Sequence, residues 1–183
     1  MKVLLIEDSP CFARPIKGAL EAAGHAVTWI IGAERVEAHQ VIGILPGHDA
    51  PPTVDSWDGD ASRLVAVGLS DIDFALIDGG LAGPVKCGAD IIPTLVDSGI
   101  LCAGISGAGA ANPLLTEAGA RLALPKEYVV LALRAGVLNL PAASEQPEQV
   151  AEALRQFTDE LRSRHFQSRK GGQRLDLGYP DLG

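Results

Sequence analysis

The sequence predicts an α/β fold built on a parallel sheet, and two observations support this. Short apolar runs recur along the chain, and most are followed by a turn and then by apolar residues at helical spacing. Apolar runs that alternate with helices are typical of parallel strands joined by right-handed crossovers. There are five such runs: KVLLI (2–6), HAVTWII (25–31), IDFALI (72–77), ILCAGI (100–105) and RLAL (121–124).

Helices are expected after the first, third and fourth runs. For the first of these helices, Ser9 is a suitable N-cap, Pro10 fits the first helical position and Gly24 ends the helix. The later two are expected within GADIIPTLVDSG (88–99) and SGAGAANPLLTEAGA (106–120). Three apolar residues share one face of the first helix: Phe12, Ile16 and Leu20.

An insertion interrupts the alternation between the second and third runs. The forty or so residues from 32 to 71 exceed what one crossover helix needs. Two apolar pieces, VIGILPG (41–47) and RLVAVGL (63–69), flank the turn-rich stretch HDAPPTVDSWDGD (48–60). This pattern predicts a β-hairpin, with a mobile loop as the alternative. Six of its residues suggest a second metal site, but their spacing favours a solvated loop: His39, His48, Asp49, Asp55, Asp58 and Asp60.

The carboxy-terminal part, residues 141–183, extends the main body of residues 1–140, which carries the insertion at about 33–70. A strong amphipathic helix is predicted at about 147–166, and we expect the tail GGQRLDLGYPDLG (171–183) to be disordered or loosely attached. The apolar stripe must pack on the body or on a second copy, which makes a homodimer possible. The stripe consists of Val150, Leu154, Phe157 and Leu161.

Composition and charge argue against several functional classes. The 183 residues are 47% hydrophobic and 21% charged, as in ordinary globular domains. A net charge of −8 argues against nucleic-acid binding, which relies on clustered Lys and Arg. No apolar run approaches a membrane span, and the run in MKVLLIEDSP is too short for a signal peptide. The three cysteines suggest reduced thiols, so we expect a cytoplasmic protein. The charge and the short apolar runs lead us to expect binding to neither nucleic acid nor membrane.

Five polar residues follow the apolar runs and are expected to meet at one edge of the sheet, where open parallel sheets place their sites. They are Glu7, Asp8, Asp78, Ser106 and Lys126. Carboxylates such as those of Asp8 and Asp78, with Glu7 nearby, are the ligands that Mg²⁺ prefers. Without a cation, three carboxylates would repel one another. The sequence therefore predicts a Mg²⁺ site.

The same residues suit phosphoryl transfer, in which catalysis is mostly positioning and charge neutralisation. Asp78 is the candidate nucleophile, which would form an aspartyl phosphate. Ser106 can donate a hydrogen bond to a phosphoryl oxygen, and Lys126 can neutralise negative charge at Asp78. Gly79 and Gly80 leave the backbone free to approach the ion and the phosphoryl group.

The chain resembles the receiver domain of two-component response regulators. Four motifs carry the resemblance, in order and at similar spacing over roughly residues 1–136: LLIEDSP, FALIDGG, CAGISG and AGARLALPK. The resemblance implies a flavodoxin-like, doubly wound five-stranded parallel sheet of order 2-1-3-4-5. It also implies that Asp78 accepts a phosphoryl group from a histidine kinase or a phosphotransfer protein. Glu7, Asp8, Asp78 and the backbone carbonyl of Gly80 would hold Mg²⁺, and Ser106 and Lys126 would contact the phosphoryl group.

Four departures from the family pattern limit what carries over. Ala82 stands where family members usually have proline, and the loop LAGPVKCG (81–88) is about two residues longer. Pro125 precedes Lys126, whereas the family lysine is usually followed by proline. Ala123 occupies the position of the aromatic residue that often reports phosphorylation, so the usual aromatic–hydroxyl switch is not expected. Signalling would then use the insertion or the carboxy-terminal helix.

The favoured interpretation is a stand-alone receiver, a signalling protein with self-phosphorylation chemistry rather than a metabolic enzyme, acting through an unidentified downstream protein. One alternative is a degenerate receiver that acts as a phosphorylation-independent interaction module. The other is a small serine hydrolase using Ser106, since GISGA (104–108) nearly matches a nucleophile elbow. Only His165 follows Ser106 as a possible base. Redox sensing by Cys11 and Cys87 is possible, but buried or incidental thiols are favoured.

Overall fold

The computed structural model of the chain describes residues 1–49, 54–107 and 111–171. Eight strands and six helices follow one another within these ranges, together with short 3-10 turns. The strands are β1 (Lys2–Ile6), β2 (Ala26–Ile30), β3 (Gly32–Glu37), β4 (Gln40–Ile44), β5 (Leu64–Gly68), β6 (Phe74–Asp78), β7 (Leu101–Ser106) and β8 (Leu122–Pro125). The helices are α1 (Pro10–Ala22), α2 (Ile92–Asp97), α3 (Ala111–Glu117), α4 (Val129–Arg134), α5 (Leu140–Glu145) and α6 (Pro147–Gly171).

The central sheet is parallel and five-stranded, in the order β2-β1-β6-β7-β8. Counting only these strands along the chain gives the order 2-1-3-4-5, which confirms the predicted doubly wound topology. Strand β6 is buried at every position. Because both faces of such a strand are covered, it is a continuous apolar run rather than an alternation.

Two apolar layers cover the two faces of the sheet, and alternate residues of β1 enter opposite layers. Val3 and Leu5 pack in the layer that includes residues of α1, α4, α5 and α6. Leu4 and Ile6 pack in the layer that includes residues of α2, α3 and the insertion. This division places the insertion beside the parallel sheet, where it covers apolar surface.

The insertion forms a hairpin, as predicted, and has a third strand that was not predicted. Strands β4 and β5 pair antiparallel, and β3 joins the outer side of β4 to complete a three-stranded sheet. In the described residues between β2 and β6, no α-helix is present, so this sheet stands in the second crossover. Val41 and Val67 turn buried side chains into the same apolar layer as Leu4 and Ile6.

The start of the insertion lies against the loop that follows β6. A Cβ atom at Gly32 would lie 1.8 Å from the carbonyl oxygen of Ala82, so only glycine fits this approach. A third, small cluster fills the corner between the two sheets. It comprises Ile31, Ile44 and Ala82, with Trp29, Trp57 and Leu64 packed against them.

The carboxy-terminal helix α6 packs on the body of the protein. Val150, Leu154 and Leu161 are buried, and the partly buried Phe157 packs against the core cluster that contains Val150 and Leu154. A homodimer formed through α6 would therefore have to use another face of this helix. The predicted disorder of the tail falls mainly on 172–183, which lie outside the described residues. In the part of the chain that is described, no helix is both long and apolar enough to cross a membrane.

Candidate functional site

The parallel sheet brings the predicted polar residues to its carboxyl edge. Glu7 directly follows β1, Asp78 and Ser106 are the last residues of β6 and β7, and Lys126 directly follows β8. The strand register aligns these ends, because Asp78 lies beside Ile105 of β7 and Ser106 beside Pro125 of β8. Asp78, Ser106 and Glu7 are all buried, although each carries a polar side chain.

The ammonium group of Lys126 joins two of the acids. Its Nζ atom lies 3.0 Å from Oδ2 of Asp78 and 3.1 Å from Oε1 of Glu7. The same atom lies 4.9 Å from the centroid of the Phe12 ring, a cation–π contact on the α1 side of the site. With its side chain only 14% exposed, Lys126 compensates much of the negative charge that the fold buries here.

Glu7, Asp8 and Asp78 have the geometry of a cation site. Each offers a carboxylate oxygen, and these atoms lie within 4.8 Å of one another. Among the described residues, this is the one such group of acids, histidines and cysteines. An all-oxygen donor set suits a hard divalent cation such as Mg²⁺ or Ca²⁺. Gly80 lies exposed two residues beyond Asp78, and a Cβ atom there would meet no atom within 4 Å.

The acids hold their protons more tightly than carboxyls in water. Burial and, to a lesser degree, the charge of Asp78 raise the pKa of Glu7 to about 8, against the opposing effect of Lys126. Burial likewise raises the pKa of Asp8 to about 6. The pKa of Asp78 is raised by burial, although Lys126 and the backbone N–H groups of Gly79 and Gly80 partly oppose this.

The pKa of Lys126 is also raised, which for a lysine favours the charged form. Burial acts to lower its pKa, but the carboxylates of Glu7 and Asp78 outweigh burial and hold the pKa above its ordinary value. The site therefore combines one firmly charged cation with three acids that are poorly solvated. A bound divalent cation would favour the ionised form of all three carboxyls.

The loop after Asp78 holds the carboxylate in place. Gly79 donates its backbone N–H to Oδ1 of Asp78 at 2.8 Å. The loop then doubles back, because Leu81 donates to the carbonyl of Lys86 and Gly88 to that of Gly79. A Cβ atom at Gly88 would lie 2.1 Å from the carbonyl oxygen of Asp78, so this return also requires glycine.

Two contacts at the site were not predicted from the sequence. The indole Nε1 of Trp29 donates to the carbonyl oxygen of Glu7 at 2.8 Å. The backbone N–H of Asp55, in the insertion, donates to the carbonyl oxygen of Asp8, also at 2.8 Å. The prediction that Asp55 belongs to a solvated loop is wrong, because its side chain is buried and paired with Arg63. No motif marks this pair, which lies eight residues apart in a polar stretch.

The other predicted residues have plainer surroundings. Cys11 is buried and its Sγ lies 2.9 Å from Oγ of Ser9, while Cys87 is half-buried in the loop that follows Asp78. Ala123 is half-buried and lines a cleft of about 370 Å³ between β8, α3 and α6. The side chain of His165, which the hydrolase alternative needs, lies outside the described part of the structure.

No family model matches the chain, and no curated protein does either. Solved structures do resemble it. A response regulator protein from Burkholderia pseudomallei, solved with a phosphorylated aspartic acid, a calcium ion and citrate, is 17% identical with a TM-score of 0.50, over 97% of this chain and 89% of that one. A CheY-like receiver domain protein from Methanospirillum hungatei is 15% identical with a TM-score of 0.50, over 80% and 97%. The response regulator RcsB from Salmonella typhimurium is 14% identical with a TM-score of 0.51, over 85% and 67%.

Proposed function

We propose that this protein, which has the fold of response-regulator receiver domains, accepts a phosphoryl group on Asp78 from a histidine kinase or a phosphotransfer protein. The reaction requires Mg²⁺, and output follows through protein–protein contacts. One observation carries the proposal. The Asp78 carboxylate is paired with Lys126 at 3.0 Å and also lies within 4.8 Å of the carboxylate oxygens of Glu7 and Asp8. The proposal favours a place in the cytoplasm, where such kinases deliver their phosphoryl groups.

In the proposed reaction, a carboxylate oxygen of Asp78 attacks the phosphorus atom of a phosphohistidine. The new O–P bond forms as the N–P bond to the donor imidazole breaks, and the imidazole leaves with the electron pair of that bond. Mg²⁺, when bound, neutralises charge on the transferring group. Glu7, Asp8, Asp78 and the backbone carbonyl of Gly80 would hold the ion.

Two further residues act on the transferred group. The ammonium of Lys126 already compensates charge at Asp78 and would pair with a phosphoryl oxygen after transfer. The Ser106 hydroxyl, at the neighbouring strand end, would donate a hydrogen bond to another phosphoryl oxygen. Ser106 ends β7, which pairs with β6, and Lys126 directly follows β8, the next strand along the sheet, so the parallel sheet sets the positions of both residues.

The test is to incubate the protein with Mg²⁺ and acetyl phosphate, and separately with beryllofluoride, beside an Asp78→Asn variant. We expect the intact mass to show one phosphoryl group per chain on the wild-type protein and none on the variant. Asp97→Asn, a change of the same kind at the exposed end of α2, is the matched control and should be phosphorylated normally.

Two results would contradict the proposal. If acetyl phosphate does not phosphorylate the wild-type protein and beryllofluoride does not bind to it, the degenerate receiver is favoured. If the protein hydrolyses esters and Ser106→Ala abolishes this activity, the hydrolase alternative is favoured instead.

A further inference from the structure

A backbone hydrogen bond joins the insertion to the turn that carries Asp8, a predicted metal ligand. The N–H of Asp55 donates to the carbonyl oxygen of Asp8 at 2.8 Å. Asp8 is half-buried and sits in the turn between β1 and α1. The position of the Asp8 backbone, and with it the direction of its side chain, therefore depends partly on where Asp55 is held.

Asp55 is held by an ion pair that is shielded from water. Its Oδ2 atom accepts a hydrogen bond from Nη2 of Arg63 at 3.0 Å and another from the backbone N–H of Gly47 at 2.6 Å. The side chains of Arg63 and Asp55 are only 13% and 6% exposed. A charge that is buried in this way is costly to leave without its partner, so the pair holds firmly once formed.

Arg63 also makes hydrogen bonds to two other points of the loop between β4 and β5. Its Nε donates to the carbonyl of Leu45 at 3.0 Å, and its Nη1 donates to the carbonyl of Ser56 at 3.1 Å. The guanidinium lies over the ring of Trp57, 5.8 Å from its centroid. Only the planar, five-donor guanidinium can make this set of contacts together, because the lysine ammonium is a single point charge.

The insertion also contacts the second loop of the site, which follows Asp78. Val85, in the loop after Asp78, donates its backbone N–H to the carbonyl of Ala33 in β3 at 3.2 Å. Gly32 lies against Ala82 of that loop. Both loops that carry predicted metal ligands are therefore attached to the insertion, one through Asp55 and the other through β3.

We infer that the Arg63–Asp55 ion pair is a positioning device for the metal site. By holding the Asp55 N–H against the Asp8 carbonyl, it keeps the Asp8 carboxylate oriented toward those of Glu7 and Asp78. Neither Arg63 nor Asp55 belongs to the group of carboxylates that could hold the ion, so both act through Asp8. The inference rests on the proposed function, since it concerns the cation that Asp78 phosphorylation would require.

The test compares Arg63→Gln and Asp55→Asn with Lys2→Gln. Lys2 also forms an ion pair, with Asp71, but these side chains are 61% and 71% exposed and the pair lies away from the site, which makes it a suitable control. Three quantities are measured on each protein. They are the amide exchange of residue 55 without metal, the calorimetric affinity for Mg²⁺ alone, and the Mg²⁺ dependence of phosphorylation by acetyl phosphate.

In Arg63→Gln we expect faster exchange at the amide of residue 55 and a Mg²⁺ affinity about tenfold weaker, as for other residues that orient metal ligands. The Mg²⁺ concentration for half-maximal phosphorylation should rise by a similar factor, while the rate at saturating Mg²⁺ stays within about twofold. A purely structural role would not produce this split. Asp55→Asn, which keeps the size and an acceptor oxygen, should show a smaller effect in the same direction, and it carries the test if Arg63→Gln does not fold.

The outcomes separate the two proposals. If the unmodified protein binds neither Mg²⁺ nor beryllofluoride, the proposed function fails and the positioning role fails with it. If the unmodified protein binds Mg²⁺ and the variants bind it equally well, only the positioning role is overturned. Unchanged exchange at residue 55 in Arg63→Gln would overturn it as well.

Discussion

Lys126 and Asp78 are forty-eight residues apart in sequence, yet their charged groups meet at 3.0 Å in a buried site. The same ammonium lies 3.1 Å from Glu7, so one cation serves two carboxylates. The parallel sheet makes this possible, because β6 and β8 flank β7 and end at the same edge. In the absence of a metal ion, the stability of the site therefore depends on a residue that phosphorylation would engage directly.

Replacing Lys126 with methionine should destabilise the metal-free protein. Methionine keeps much of the side-chain volume but leaves two buried carboxyls without their cation, a loss of about 3–5 kcal/mol in the free energy of unfolding. Urea unfolding in the presence of a chelator measures this. Lys86→Met, at an exposed position of the loop after Asp78, is the control and should change little. Equal stability of the two variants would contradict the assigned role of Lys126.

Glu7 should make the metal-free protein less stable as the pH rises. Its pKa is about 8 in the folded protein and close to 4.5 when exposed, so the folded state binds more protons between these values. Since stability falls with pH wherever the folded state holds the extra proton, the free energy of unfolding should decrease from about pH 5 to pH 8. Glu7→Gln should flatten this dependence, whereas Glu117→Gln, at an exposed site, should leave it intact. Urea unfolding at several pH values with a chelator is the measurement, and an identical slope in Glu7→Gln would be contrary evidence.

The Cys102 thiol should resist alkylation in the folded protein. It lies fully buried in β7, and burial raises its pKa to about 12, so almost no thiolate forms at pH 8. The half-buried Cys87 should react with iodoacetamide first. Peptide mass spectrometry before and after unfolding in urea distinguishes the sites. Labelling of Cys102 at the rate of Cys87 in the native protein would show that β7 opens to solvent.

The packing of α6 on the body predicts a large effect of Leu154→Ala. This side chain is buried in the core cluster shared with α1 and β8, and its truncation should cost about 2–5 kcal/mol in the free energy of unfolding. Leu114→Ala makes the same chemical change at an exposed position of α3 and should cost within about 0.5 kcal/mol. If the two variants unfold at the same urea concentration, α6 does not contribute to the core as described.

The sequence predicted the parallel sheet well because its strands are apolar on both faces. The run IDFALI stands out for this reason, and the polar residue that ends each such strand then indicates the edge where a site forms. Glu7, Asp78, Ser106 and Lys126 could be identified together because topology, rather than sequence distance, brings strand ends to one place.

The insertion was harder to predict for the opposite reason. Strand β3 has the sequence GAERVE, in which charged residues and a partly exposed valine mask the alternation expected of a strand. The Arg63–Asp55 pair has no periodicity at all, because it joins two points of an irregular loop through tertiary contacts. Charged residues in turn-rich stretches are usually solvated, and only the three-dimensional fold shows that this pair is not.

The hydrogen bond from Trp29 to the Glu7 carbonyl gives the protein a built-in optical reporter. The chain has two tryptophans, and Trp29 touches the backbone of a predicted metal ligand, whereas Trp57 lies over Arg63. Replacing Trp57 with phenylalanine would leave a single fluorophore, whose emission is sensitive to changes in the polarity and hydrogen bonding of its indole. Events at the carboxyl edge of the sheet could then be followed in real time, in unlabelled protein, by the light that one residue emits.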